Sequence, residues 1–88
     1  MKSQELLEEL LVILEANGVK IRKDSLGGAG GGLCELRDSK VFFVDMDSSS
    51  LETARLCARA AIEIIDIETI YIKPFVREFI EENTGLDR

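Results

Sequence analysis

The sequence predicts an α+β fold: a three-stranded antiparallel sheet with about three helices packed mainly on one face, and a further segment that fits a short fourth strand. Three observations carry that expectation. Apolar residues recur at helical spacing near the beginning, middle and end of the chain, whereas from Val19 and again from Leu33 they alternate with polar ones. Two of the alternating runs, residues 33–37 and 40–46, are separated only by Asp38-Ser39, a turn short enough to enforce an antiparallel hairpin. Neighbouring strands usually pair, so one open sheet with helices on one side is the economical arrangement.

Taken in order, Ser3 is suited to cap a first helix whose Leu6, Leu7, Leu10, Leu11, Ile13 and Leu14 share a face while Glu5, Glu8, Glu9 and Glu15 stay wet. Asn17 and Gly18 are residues that tolerate the left-handed conformation ending a helix. Val19 and Ile21 then alternate with Lys20 and Arg22 as a short half-buried strand. Residues 26–32 form a glycine-rich loop expected to be mobile, since glycine loses more backbone entropy on ordering than any other residue. In the hairpin that follows, Cys34 and Leu36 share one face. Phe42, Val44 and Met46 share another, with Val41 and Phe43 behind them, so this strand is expected at the centre of the sheet. Residues 47–50 signal helix entry, with Ser49 and Glu52 in capping-box spacing. The second helix is expected over residues 51–65, packing through Leu51, Ala54, Ala58, Ala61, Ile62 and Ile65. Ile70 and Ile72 alternate with Tyr71, which fits either a fourth strand or an extended connection, the connection being favoured. Pro74 suits the first turn of a third helix with Phe75, Val76, Phe79 and Ile80 on its face, ended by Asn83 and Gly85, after which the tail from Leu86 is expected to fray.

Eighty-eight residues fit one domain, residues 1–88, and a domain of this size buries only roughly 60–65% of its unfolded surface. Self-association, which buries more, is then a reasonable source of stability. The net charge of −6 and the scattering of eleven basic residues argue against nucleic acid as a partner. A basic or neutral protein surface is easier to approach. Met1 leads directly into an acidic amphipathic segment and the longest apolar run, residues 10–14, is far too short for a membrane span. A cytoplasmic protein without a membrane partner is therefore expected, with Cys34 and Cys57 as thiols rather than a disulfide. No histidine is present and two thiolates are half of a closed zinc site, so no metal or other cofactor is expected for the preferred reading.

The glycine loop invites a phosphate-cradle reading that its spacing refuses. A dinucleotide fingerprint starting at Gly28 needs glycine where Leu33 stands, and a P-loop ending at Gly32 needs Lys-Ser/Thr where Leu33-Cys34 stand. The loop also leads into a strand, so no helix N-terminus faces a phosphate. Residues 41–54, Val-Phe-Phe-Val-Asp-Met-Asp-Ser-Ser-Ser-Leu-Glu-Thr-Ala, resemble the first motif of haloacid-dehalogenase-type phosphatases. That resemblance implies Asp45 as nucleophile and Asp47 as acid/base, with magnesium nearby. Ser49 stands where that family carries Thr or Val, and the expected hydrophobe is displaced to Leu51; without the resemblance, Asp47 and the serines read as a helix cap. The order hairpin, loop, helix is also similar to the core of small zincin metallopeptidases, but the helix from Leu56 to Glu63 lacks the two histidines that would hold zinc.

A wider resemblance, over residues 18–80, is to small bacterial proteins of unknown function. It rests on Gly31-Gly32-Leu33-Cys34-Glu35-Leu36-Arg37, on Asp45 at the end of a hydrophobic strand, and on Pro74-Phe75-Val76-Arg77. It implies a bacterial intracellular protein and marks Cys34, Arg37, Asp45 and Arg77. For Cys34 to be a nucleophile, Arg37 or Arg77 would have to stabilise its thiolate. The preferred reading is a non-enzymatic, self-associating protein-interaction domain, with Gly27, Gly28, Gly30, Gly31, Gly32, Arg37 and Arg77 as partner- or ligand-binding residues. Alternatives are a magnesium-dependent phosphatase-like hydrolase using Asp45 and Asp47, or a small-ligand binder closed by the glycine loop. Alanine at Gly28, Gly30 and Gly31 is expected to impair partner capture and spare the fold.

Overall fold

The computed structural model describes residues 2–85, so the tail from Leu86 lies outside the described residues. The chain runs α1 (Ser3–Ala16), β1 (Val19–Asp24), β2 (Gly32–Leu36), β3 (Ser39–Asp45), α2 (Ser50–Ile64) and α3 (Pro74–Thr84). In α1 the leucines at 7, 10, 11 and 14 are buried, as their spacing requires. Ser3, however, is inside the helix rather than its cap. The Leu6 amide reaches back to the Lys2 carbonyl at 3.1 Å, which adds the first turn and moves the cap position to Lys2. At the other end, Gly18 adopts a φ of 90° and the Asn17 side chain donates to the Ile13 carbonyl, closing the helix.

The sheet has the order β1-β3-β2 and is mixed. β2 and β3 form the antiparallel hairpin, whereas β1 runs parallel to β3, with Val19 opposite Lys40 and Asp24 opposite Asp45. The all-antiparallel expectation is corrected on this point. Alternation records which residues face the core but not strand direction. Residues 25–31 span the end of one intervening strand, about 9.5 Å at two interstrand spacings, so β3 inserts between β1 and β2.

Val19, Phe42 and Val44 face the helical layer, with Ile21 and Leu33 packed against the same core. By alternation, Lys20, Arg22, Cys34, Leu36, Val41 and Phe43 point to the other face, on which no described helix packs. Val41 is nevertheless 4% exposed, so the central strand is covered on both sides at that point. Met46 lies beyond the strand and is exposed. In α2, Ser49 accepts from the Glu52 amide at 3.1 Å, the first half of the capping box that the spacing predicts, while the Glu52 carboxylate takes the Ser49 hydroxyl at 3.3 Å rather than the Ser49 amide.

Residues 65–73 form no strand. Ile67 and Ile72 are buried while Tyr71 is exposed, so the isoleucines plug an extended connection into the helical core. Arg77, on α3, fixes that connection through a 2.6 Å bond to the Ile67 carbonyl and an ion pair to Glu68, and is itself braced by Glu81 one turn along α3. Among the described residues, no helix is long and apolar enough to cross a membrane.

Candidate functional site

Parallel pairing brings the C-terminal ends of β1 and β3 together, and the glycine loop must cross the end of β3 to reach β2. Asp45 is the last residue of β3 and lies under that crossing, 1% exposed. Its Oδ1 accepts the Leu26 amide at 3.0 Å and the Asp47 amide at 2.9 Å. Oδ2 accepts the Gly30 amide at 2.9 Å and the Ser48 hydroxyl at 3.0 Å. Asp47 adds an anchor by accepting the Gly27 amide at 2.9 Å. Burial by itself would raise the pKa of the Asp45 carboxyl. The amides of Asp47, Gly30 and Leu26 and the Ser48 hydroxyl outweigh burial and hold it down at about 2.

The loop is therefore fastened along its length. Gly27 and Gly28 both have positive φ, and the Ala29 amide closes the turn on the Leu26 carbonyl at 3.4 Å. Gly31 is required for a different reason: its φ is ordinary, but a Cβ there would lie 1.8 Å from the Phe43 carbonyl oxygen. The loop amides bond Asp45 and Asp47 at the strand end, and alanine at Gly28, Gly30 or Gly31, expected from the sequence to spare the fold, would strain the loop by positive φ at the first two and by overlap with Phe43 at the third. Sequence reasoning missed Leu26 and Ser48 in this role. The signal that could have found them was an Asp closing a buried strand shortly before two serines and after a glycine-rich loop.

For Asp45, both carboxylate oxygens accept two donors each and the group is buried, so in this geometry the carboxylate positions the loop. Asp47 is exposed but committed to Gly27. Among the described residues, no three His, Cys, Asp or Glu side chains converge where they could hold an ion, so the implied magnesium finds no matching ligand set. A cleft of about 160 Å³ beside Asp45 is lined by Gln4, Glu8, Lys23, Met46 and Ser50 among others. The chemistry there is mixed and small.

The remaining candidates do not come together. Cys34 is half-buried on the uncovered face of β2, whereas Cys57 is buried inside the helical layer, where desolvation pushes its thiol up to about 12. Arg37 lies in the hairpin turn, remote from the loop, and Arg77 is engaged by the 65–73 connection. Neither forms a site with Asp45. The chain matches no family model, and neither the curated proteins nor the solved structures gave a significant match.

Proposed function

We propose that the chain is a non-enzymatic protein-interaction domain that associates with a second copy of itself through the edge of its sheet. The observation that carries this reading is the sheet itself: three strands, of which β1 and β2 each pair on one side only, in a domain too small to bury a large core alone. Each outer strand leaves a row of backbone donors and acceptors that another strand can satisfy. The sealed loop adds support, because it holds the start of β2 in one position before a partner arrives. Asp45 and Asp47 then serve the interaction domain as fasteners, and no catalytic residue is needed.

Light scattering on the full chain at rising concentration tests the reading. The expected outcome is a monomer that converts to a dimer, and a Leu36→Lys variant that stays monomeric, since a lysine on an exposed edge position opposes strand addition. Leu36 is 54% exposed, so that change leaves the core untouched. A chain that remains monomeric throughout the range overturns the proposal.

A further inference from the structure

The two open edges differ in a way that selects one of them. β1 carries Lys20, Arg22 and Lys23 within six residues, the charged pattern by which natural sheets discourage strand addition. β2 reads Gly-Leu-Cys-Glu-Leu, with no lysine, arginine or proline and with Leu36 largely exposed. Building on the self-association reading, we infer that β2 pairs antiparallel with the β2 of a second copy about a two-fold axis passing through Cys34, extending the sheet from three strands to six.

Register follows from the hairpin. Its two-residue turn closes on Leu36 opposite Ser39, which is a hydrogen-bonded pair in such a hairpin. Alternation from there directs the backbone groups of Cys34 toward β3 and those of Leu33 and Glu35 outward. Only the outward groups are free to bond a partner. Pairing Leu33 with the partner's Glu35, and Glu35 with the partner's Leu33, uses them all and leaves Cys34 opposite the partner's Cys34 as a non-hydrogen-bonded pair. Shifting the register one way sets Glu35 against the partner's Glu35, an unfavourable like-charge contact. Shifting it the other way removes Leu36 from the interface. In the favoured register the exposed Leu36 lies opposite the partner's Gly32, whose missing side chain leaves room on that face.

The two thiols stay reduced in this dimer and serve only as reporters of register. Opposite residues of a non-hydrogen-bonded pair have Cα atoms about 4.5 Å apart. That separation lies within the range a disulfide spans, roughly 4.4–6.8 Å. A register shifted by one pair moves them to roughly 7–8 Å. Cys57 does not interfere, being buried with its thiol held protonated.

The test treats the full chain with diamide, which takes up the two protons and two electrons released by a pair of thiols, at concentrations where light scattering finds dimers. A covalent dimer linked Cys34 to Cys34 by mass mapping is expected, lost in Cys34→Ser. The doubly substituted Cys34→Ser/Leu36→Cys chain, which places the reporter opposite Gly32, is expected to remain unlinked. Dimers by scattering without a Cys34 link, or equally fast linking of the double variant, overturn the register while leaving the interaction reading intact. A monomer by scattering overturns both.

Discussion

Replacing Gly31 by alanine makes the sharpest demand on the structure. The added Cβ would sit 1.8 Å from the Phe43 carbonyl oxygen and 2.6 Å from its carbon, so more than a rotamer has to move. Phe43 belongs to the central strand, held by β1 on one side and β2 on the other, so its backbone cannot yield within the sheet without disturbing a ladder. Overpacking of this kind costs about 1–3 kcal/mol and sometimes more; backbone against backbone places Gly31→Ala at the upper end, about 3 kcal/mol. A domain of this length has total stability on the order of 4–13 kcal/mol. At about 4–8 °C per kcal/mol, Tm falls by roughly 12–24 °C. Gly30→Ala is the control. Its φ of 89° imposes strain on the order of 1–2 kcal/mol, but nothing lies within 4 Å of the new atom. Thermal and urea unfolding followed by circular dichroism rank the two. If Gly31→Ala unfolds with the wild type, or proves milder than Gly30→Ala, the packed crossing of the loop over β3 is wrong.

Two further outcomes follow from the same geometry. Because the Asp45 carboxyl is held at about 2, below its ordinary value of 3.8, its contribution to stability is complete above about pH 5 and is lost as pH falls from about 4 to 2. The urea midpoint of the wild type should drop across that window, while Asp45→Asn starts lower at neutral pH and shows a flatter acid limb; parallel limbs in the two proteins would refute the assignment. Arg77→Ala leaves the Ile67 carbonyl without its 2.6 Å partner and should cost about 1–3 kcal/mol in urea unfolding, with Arg77→Lys recovering only part and dimerisation at native conditions unchanged. Dimerisation lost in Arg77→Ala while the chain remains folded would place Arg77 at the interface instead.

Much of the fold was legible because its signals are local. The leucine spacing of α1, the Ser49 cap on the Glu52 amide and Pro74 at the start of α3 all depend on residues a few positions apart. The hairpin was readable from a two-residue turn between alternating runs, but the turn lies at Arg37-Asp38, one residue before the expected Asp38-Ser39, since residues 37–39 are all polar and offer two places for it. Parallel pairing of β1 was not, because Val19 and Ile21 alternate identically whichever way their neighbour runs, and the pairing partner lies beyond the hairpin turn. Ile70 and Ile72 left a strand and the favoured connection both open for a related reason: anchoring of a connection and half-burial of a strand can leave the same short pattern, and the structure has the connection. The site was legible only as a set of residues. Asp45 stood out, but its role depends on amides 15 and 19 positions earlier, a separation far longer than the period of any helix, strand or turn.

That long-range sharing has a dynamic consequence. The amides of Leu26, Gly30 and Asp47 belong to a loop, a strand approach and a helix entry, yet all three end on one carboxylate. Rotating that side chain away frees all three together, whereas lifting the loop frees Leu26 and Gly30 and leaves Asp47 bonded. The Leu26 and Gly30 amides are therefore expected to exchange in one shared opening, with the Asp47 amide joining them only when the carboxylate itself swings away.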